Sequence, residues 1–416
     1  MGQLPNLQVI TTKLGDLFPP LKGSLIQFVL KYIKRKIHSY NISHAWDFKK
    51  TLQIGASKTL PTVAVGLDDL AFLQYTGGTT GMPKGAMLTH HNMLANMIQA
   101  AVWVTSKHQP GDADIILSPL PFYHIFSLLA NCLLFMHMGA HNILITDPRD
   151  IHGFIKIMKK YHFQFMSGVN TLFNALLQDP RLAEVDFSKL KTSLAGGMAL
   201  QGVIADKWQK ATGKVLSEGY GLTEASPAVT ITPMNAVNFN GSAGLPISST
   251  DVQVRDEAGK VLALNQPGEL WVKGPQVMRG YWQQESETKN VLDDQGWLRT
   301  GDVAKIDDKG FVYLVDRIKD MILVSGFKVY PNDIEDEIAK MPGVLEVAAV
   351  GIPDEHSGEA VKLFIVKKDP NLTEDDVRKF CHDNLTGYKR PKVIEFRDSL
   401  PKSNVGKILR RELREP

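Results

Sequence analysis

Short apolar runs alternate with segments of helical spacing through the first two-thirds of the chain. Strand-like runs lie at 115–119, 140–145, 163–168 and 192–195. Helix-like segments between and after them lie at 152–161, 171–177 and 201–212. Because strands that alternate with helices form parallel sheets with helices on their faces, this pattern predicts an α/β fold.

The texture changes in the last third of the chain. From about residue 228 to 315 the runs become short and rich in valine, glycine and turn residues, with the clearest strands at 251–255, 268–273 and 311–315. This predicts a small antiparallel β-subdomain. The remaining ~100 residues fit one small α+β domain at the C-terminus.

Composition narrows the class of protein. At 416 residues the chain can hold two or three domains, and a net charge of +3 is too small to favour nucleic acid as a partner. Its two cysteines, Cys132 and Cys381, are far apart and lack neighbouring ligands, so we expect neither a disulfide framework nor a zinc site. A reducing cytosol fits this cysteine usage, and the first residues do not predict a signal peptide.

Two apolar segments raise the question of membrane contact. Residues 125–138 are interrupted by Ser127, Asn131 and His137 and are too short for a membrane span, so they predict a buried helix. Residues 25–37 place apolar side chains at helical spacing beside several lysines, which is typical of an interfacial helix. An amphipathic helix docked on the protein with solvated lysines explains the same pattern equally well.

The stretch at 75–85 (YTGGTTGMPKG) points most directly to chemistry. Glycines let backbone N–H groups approach phosphate, threonines add hydroxyl donors, and a lysine supplies positive charge. The residues expected to contact the phosphates of ATP are Thr76, Gly77, Gly78, Thr79, Thr80, Gly81 and Lys84. The stretch follows a strand-like run at 70–75 and precedes a helix-like one at 90–101, and it is not a Walker A loop. A flexible surface turn would explain the glycines but not the threonines and the lysine together.

Further motifs follow this loop in a specific order. They are LPFYHIF at 120–126, EGYGLTE at 218–224, GWLRTGD at 296–302, DRIKDMILVSG at 316–326 and PKSNVGK at 401–407. The ordered set resembles the adenylate-forming superfamily of acyl-CoA synthetases, luciferases and peptide-synthetase adenylation domains, and most of all the bacterial long-chain fatty-acyl-CoA synthetases. The resemblance implies activation of a fatty acid by ATP and Mg²⁺ to an acyl-adenylate, followed by transfer of the acyl group to coenzyme A.

The resemblance also assigns roles around the nucleotide. Glu224 matches the magnesium ligand, with the hydroxyl of Thr79 or Thr76 as its partner. Tyr220 would stack on adenine, Asp302 would bind the ribose hydroxyls, and Arg317 would add a ribose or phosphate contact. The remaining residues that match nucleotide-binding motifs are Gly197, Met198, Glu218, Gly219, Gly221 and Thr223.

Other roles concern catalysis and domain motion. His124 would lie beside the substrate carboxylate, although a lone histidine among aromatic residues is more often a buried structural one. Lys407 would bridge the carboxylate and the α-phosphate, although taken alone it is one more lysine in a basic tail. Lys319 would be the hinge and Gly326 would line the tunnel for coenzyme A.

The implied domains and acyl pocket complete the resemblance. A large AMP-binding domain would span 1–316, a hinge 317–320, and a mobile C-terminal domain 321–416. Asn170 and Thr171 lie in a segment that resembles the acyl-pocket wall of the long-chain enzymes. The uninterrupted stretch at 316–335 favours coenzyme A over a carrier protein, which is the acceptor of the related fatty-acyl-AMP ligases.

The position of the phosphate loop raises a rival hypothesis. In this superfamily the loop lies much deeper in the chain, so we expect most of an N-terminal subdomain to be missing here, roughly a domain's worth of residues. A chain without that subdomain could bind nucleotide and lack turnover. A cytoplasmic location, association with the inner face of the membrane, and a homodimer are further expectations that the resemblance leaves open.

Overall fold

A computed structural model describes residues 8–38, 42, 44–76 and 83–414. The chain divides into two compact units, Met1–Val65 and Gly66–Pro416. The smaller unit contains a parallel pair of short strands and two helices. Its elements are β1 (Ile10–Thr11), α1 (Pro20–Phe28), β2 (Trp46–Asp47) and α2 (Phe48–Ala56).

Helix α1 continues as a π-helical turn, Val29–Ile33, so the predicted helix at 25–37 is present over most of its length. Its apolar side chains are well exposed, with Leu25 at 63% and Ile33 at 66%. Within the described residues, no helix combines the length and apolar character that a membrane crossing requires.

The second unit begins with an antiparallel hairpin. Its first elements are β3 (Leu70–Thr76), β4 (Lys84–Thr89) and α3 (His90–Val104). The strand predicted at 70–75 and the helix predicted at 90–101 are confirmed as β3 and α3, and between them β4 pairs with β3. The helix begins at a capping box, in which Thr89 and Asn92 satisfy each other's backbone N–H groups.

A seven-stranded sheet with helices on its faces forms the centre of this unit. Its elements in chain order are β5 (Ile115–Ser118), α4 (Ile125–Ser127), α5 (Leu134–His137), β6 (His141–Leu144), α6 (Ile151–Lys160), β7 (Phe165–Gly168), α7 (Asn170–Gln178), β8 (Thr192–Gly196), α8 (Gly202–Thr212), β9 (Leu216–Gly221), β10 (Ala228–Ile231) and β11 (Leu245–Pro246). The strand order is β11-β10-β9-β8-β7-β5-β6, and the strands from β9 to β6 pair in parallel. The α/β prediction is confirmed.

Helices α4 and α5 are joined by a π-helical segment, Leu128–Leu133, into one helix that is buried along much of its length. Asn131 is fully buried there, and hydrogen bonds satisfy its side chain. Its Nδ2 donates to the Ser118 hydroxyl at 3.1 Å, and its Oδ1 accepts from the Ser167 hydroxyl at 2.7 Å. The buried helix predicted at 125–138 is therefore confirmed.

A four-stranded antiparallel sheet follows the central one. Its elements are β12 (Asp251–Arg255), β13 (Gly268–Lys273), α9 (Glu285–Val291), β14 (Leu298–Ile306) and β15 (Val312–Arg317). The predicted start of this subdomain at about 228 is wrong, because β10 and β11 pair antiparallel with the edge of the central sheet.

The C-terminal region is a small α+β structure around a five-stranded sheet, as the sequence predicts. A 3-10 turn, Ile318–Asp320, connects it to β15. Its elements are β16 (Ile322–Val324), β17 (Phe327–Val329), α10 (Pro331–Ile338), β18 (Val344–Asp354), β19 (Gly358–Lys367), α11 (Glu374–Asn384), β20 (Val393–Phe396) and α12 (Arg410–Arg414).

Trp208 on α8 anchors the core on one face of the central sheet. The side chain is fully buried, its ring meets Phe173 edge-on at 4.8 Å, and its indole N–H donates to Ser193 at 3.1 Å. Trp208→Ala would leave a large cavity and an unpaired hydroxyl, so we expect a loss of about 3–5 kcal/mol in the free energy of unfolding. Urea unfolding followed by circular dichroism measures it. Lys210→Ala, on the exposed face of the same helix, is the matched control, and equal midpoints for the two variants would contradict the prediction.

Candidate active site

The carboxyl ends of the parallel strands meet at one edge of the central sheet, where open α/β sheets bind ligands. A cavity of about 940 Å³ opens there. The sequence-predicted residues that line it are Thr76, Lys84, His124, Gly197, Gly219, Tyr220, Gly221, Thr223, Glu224, Asp302, Arg317, Lys319 and Lys407. The structure therefore brings all six motifs to one site, together with Gly197.

Two glycines allow Lys407 to enter this cavity. Gly197 has a φ of +80°, and a Cβ on it would lie 3.1 Å from Cε of Lys407. Gly406 has a φ of +84°, and its carbonyl accepts a hydrogen bond from Thr171 at 2.9 Å. A side chain at either position would strain the backbone, and one at Gly197 would also crowd Lys407, whereas one at Gly406 would crowd Thr171 and Val169.

Arg410 holds the segment that carries Lys407. Its guanidinium donates two hydrogen bonds to Glu335 at 3.0 and 2.7 Å, one to Asp316 at 3.1 Å and one to Asn332 at 2.6 Å. Bidentate pairing of this kind fixes orientation as well as distance. The loop before α12 is thereby tied to the connection between β15 and α10.

Tyr220, Asp302 and Arg317 form a second fixed group. Asp302 and Arg317 face each other across β14 and β15, with Nε of the arginine 3.2 Å from the carboxylate. The Tyr220 hydroxyl donates to the other carboxylate oxygen at 2.7 Å. Burial, with the charge of Asp302 as a second cause, raises the pKa of Tyr220 well above its usual value, so the phenol stays a donor.

Glu224 and Lys84 lie in another part of the same cavity. Oε1 of Glu224 accepts a hydrogen bond from the Tyr281 hydroxyl at 2.7 Å. The Lys84 ammonium lies 5.1 Å from the centre of the Tyr281 ring and forms an ion pair with Glu287. A carboxylate and an ammonium that both line the cavity thus contact one tyrosine, the carboxylate at its hydroxyl and the ammonium at its ring.

Burial lowers the pKa values of two groups at the reaction centre implied by the motifs, Lys407 and His124. It lowers the pKa of Lys407 to about 8, and the nearby Arg317 cation acts in the same direction. Burial also lowers the pKa of His124 to about 4, with the Lys407 charge as a second cause. His124 is therefore neutral at physiological pH, and its Nδ1 accepts a hydrogen bond from the Phe126 N–H at 3.3 Å.

One part of the cavity lining is apolar, and we name this part the apolar arm. It runs between the central sheet and the helices α3, α4 and α5. Its apolar lining includes Ala100, Val104, Leu129, Leu134, Phe165 and Leu194. A site that is charged at one end and apolar along an arm suits an amphiphilic carboxylate.

A smaller cavity of about 480 Å³ adjoins the first. The predicted residues Asn170, Thr171, Met198 and Glu218 line this one instead. Glu218 is buried, accepts the Leu200 N–H at 3.2 Å, and has its pKa raised to about 8 by burial. Asn170 and Thr171 therefore lie next to the Lys407 loop and away from the apolar arm.

Gly77, Gly78, Thr79, Thr80 and Gly81 lie outside the described residues. Gly326 has a φ of +85° in the turn between β16 and β17, with no atom within 4 Å of where its Cβ would be, and it lines neither cavity. Lys319 lines both cavities, and burial lowers its pKa.

Comparison with known proteins identifies the family. A family model described as AMP-binding enzyme matches residues 25–282, and one described as AMP-binding enzyme C-terminal domain matches residues 333–407. The chain belongs to the AMP-binding enzymes of the adenylate-forming superfamily. A long-chain-fatty-acid–CoA ligase from Yersinia pestis is 54% identical over 407 residues, which are 98% of this chain and 72% of that protein.

Solved structures of AMP-binding enzymes share the fold. ATP-bound MatB from Rhodopseudomonas palustris is 32% identical, with a TM-score of 0.81 over 89% of this chain and 75% of its own. The anthranilate CoA ligase AuaEII, solved with anthranoyl-AMP, is 25% identical, with a TM-score of 0.78 over 85% of this chain and 69% of its own.

Sequence reasoning missed three residues that shape the site of this AMP-binding enzyme. Tyr281 and Glu287 contact Glu224 and Lys84, and Arg410 holds the Lys407 loop. Tyr281 follows a glycine in a turn and Glu287 lies on a short polar helix, so neither stands out locally. Arg410 could have been suspected only as an arginine three residues after a candidate catalytic lysine.

Proposed function

We propose that this protein activates a long-chain fatty acid with ATP and transfers the acyl group to coenzyme A through an acyl-adenylate. The approach of Lys407 over Gly197 into the cavity that holds Tyr220 and Asp302 carries this proposal. It brings a cation to the place where a carboxylate and a phosphate would meet. Relatives at 54% identity that are named long-chain-fatty-acid–CoA ligases support the same substrate.

The apolar arm supports a fatty acid as the substrate. An acyl chain in the arm would bury its methylene groups, at about 0.8 kcal/mol each, and leave its carboxylate at the charged end. His124 is neutral and lines the cavity beside Lys407, so it can contact that carboxylate without adding charge. A fatty-acyl-AMP ligase, which uses a different acceptor, would share all of these features.

In the first half-reaction the carboxylate oxygen attacks the α-phosphorus of ATP. A carbon-bound oxygen becomes bonded to phosphorus, the bond to the leaving pyrophosphate breaks, and acyl-AMP forms. Lys407 would hold the attacking carboxylate and the α-phosphate together, because its ammonium offers donors to both. Tyr220, Asp302 and Arg317 would bind the adenosine.

In the second half-reaction the sulfur of coenzyme A attacks the acyl carbon, and AMP leaves. We propose that residues 321–416 form a mobile domain attached through the hinge at 317–320, with Lys319 at the pivot. Its rotation would withdraw Lys407 and bring Gly326 towards the adenylate, since Gly326 lies away from both cavities in the arrangement described here. A glycine there leaves room for the pantetheine arm.

The residues present fit a magnesium ion. Glu224 places one carboxylate oxygen on Tyr281 and keeps acceptor capacity for a hard cation, and Thr76 adds a hydroxyl in the same cavity. Thr79 is proposed as a further ligand. When bound, the ion would neutralise charge on the phosphate oxygens.

The direct test is turnover by the chain itself. Oleate, ATP, Mg²⁺ and coenzyme A are incubated with the protein, and AMP and oleoyl-CoA are separated by chromatography. The proposed function requires both products in equal amounts. Nucleotide binding without AMP release would favour the inactive fragment, and AMP release that stops at oleoyl-AMP would favour an acyl-AMP ligase.

The two half-reactions depend differently on Lys407. Lys407→Ala removes the ammonium that joins carboxylate and phosphate, so we expect oleoyl-AMP formation to fall by about 10²–10³ in rate. Thioester formation from supplied oleoyl-AMP stays within a few-fold of wild type. Lys379→Ala, on the exposed face of α11, is the control and changes neither rate. Equal losses in both half-reactions would contradict this role for Lys407.

The lowered pKa of Lys407 predicts a pH limit for adenylation. The ammonium is charged below its pKa of about 8 and loses its charge above it. The kcat/KM for pyrophosphate release should therefore fall as pH rises through about 8, since kcat/KM reports groups of the free enzyme. In Lys407→Arg the guanidinium stays charged, so its lower activity should lack this fall. The same alkaline fall in Lys407→Arg would assign the titration to another group.

A further inference from the structure

We propose that Tyr281 is a positioning residue that orients the Glu224 carboxylate and supports the Lys84 ammonium for the polyphosphate of ATP. The inference rests on the proposed function and adds a residue that the sequence motifs do not identify. It depends on one short segment, residues 278–282, which we name the clasp.

The clasp connects two parts of the chain that face the cavity. Its backbone pairs with the strand after the phosphate loop, because Met87 N–H donates to Gly280 and Trp282 N–H donates to Gly85, both at 2.8 Å. At its other end, Met278 N–H donates to the carbonyl of Glu224 at 2.8 Å. The clasp therefore fixes Glu224 relative to β4.

The Tyr281 side chain makes a second connection between the clasp and Glu224. Its hydroxyl donates to Oε1 of Glu224 at 2.7 Å, which leaves Oε2 and further lone pairs for a cation. Residues that hold metal ligands in this way tune metal affinity, and their loss typically costs about 10–100-fold.

The ring of Tyr281 faces the second group. The Lys84 ammonium lies 5.1 Å from the ring centre, within range of a cation–π interaction. Glu287 on α9 pairs with the same ammonium, and α9 is tied to the clasp because Thr288 accepts the Tyr281 N–H at 2.8 Å. The Lys84 ammonium thus interacts with the Tyr281 ring and forms an ion pair with Glu287, and a phosphate group of ATP can replace Glu287 in that pair.

A purely structural role would be that of a buried aromatic whose hydroxyl binds the nearest acceptor. Two observations favour the proposed positioning role over this structural role. The acceptor is a side-chain carboxylate that lines the cavity, and the ring contacts a second charged side chain that lines it too. Tyr313 shows the contrast, because its hydroxyl reaches Asp307 at 3.3 Å and neither residue lines the cavity.

The test compares ligands that share adenosine and differ in phosphate and metal. Tyr281→Phe keeps the ring and removes the Glu224 hydrogen bond. By isothermal titration calorimetry, we expect its Kd for ATP with Mg²⁺ to rise about 10–100-fold. Its Kd for AMP, and for ATP in EDTA, should equal those of wild type. Tyr313→Phe is the matched control and should match wild type with every ligand.

A second variant tests the contact with Lys84. Tyr281→Leu also removes the ring, so its Kd for ATP in EDTA should rise about 2–5-fold above that of Tyr281→Phe. AMP binding at the wild-type Kd shows that the fold of the site is intact. Equal ATP affinity of Tyr281→Phe and Tyr281→Leu in EDTA would show that the ring does not support the Lys84 ammonium.

Other outcomes overturn the proposal directly. Unchanged Mg²⁺–ATP affinity in Tyr281→Phe would show that the hydrogen bond does not orient Glu224. Equal weakening of AMP and ATP would show a general structural role. These outcomes are distinct from failure of the proposed function, in which the wild-type protein itself would bind ATP and release no AMP.

Discussion

The approach of one lysine over a glycine surface is the contact on which the rest of the site depends. Lys407 belongs to the last described loop of the chain, and its target, Gly197, follows a central strand of the large sheet. The contact exists because Gly197 has no Cβ to crowd the lysine and because Gly406, the residue before it, adopts a positive φ angle that places the loop against Thr171. The two glycines limit how the C-terminal region can seat in this arrangement.

The Arg410 cluster joins the C-terminal region to β15 through Asp316, so rotation at the proposed hinge would break that contact and keep the contacts to Glu335 and Asn332. A guanidinium with 16% of its side chain exposed is held by Glu335, Asp316 and Asn332. Removing one partner of such a buried group leaves the others unpaired, which is strongly unfavourable. The cluster uses residues on both sides of the 318–320 turn, so it ties the Lys407 loop to the proposed hinge.

Much of this organisation could be predicted from the sequence, because the motifs combine residue types that few other structures need. The alternation of apolar runs predicted β5, β7, β8 and their helices closely. It failed where pairing is decided at long range. The strand β4 contains Lys84 and Gly85 and pairs both with β3 and with the distant segment at Tyr281. The strand β10 resembles the subdomain strands in sequence although it belongs to the central sheet.

The site residues that the sequence did not reveal were missed for the same reason, because their partners lie far away in the chain. Tyr281 is 57 positions from Glu224, and Arg410 is 75 positions from Glu335, so no local pattern links them. Their side chains acquire a role only from the folded neighbourhood. The motifs specify groups that touch substrate, whereas the groups that hold them in place are determined by packing.

The cavity divides into three parts, each lined by its own group of charged and polar side chains. Tyr220, Asp302 and Arg317 pair with one another on the side of the antiparallel sheet, while Glu224, Tyr281 and Lys84 pair near the phosphate loop. Lys407 and neutral His124 lie beside the apolar arm. Because each group is internally satisfied, the three parts can bind adenosine, polyphosphate and acyl carboxylate without competing for one another's partners. Lys407 is the exception, since among the described residues no side chain forms a hydrogen bond or ion pair with its ammonium. Burial lowers its pKa only to about 8, so the ammonium is still largely charged at neutral pH and can pair with an incoming anion.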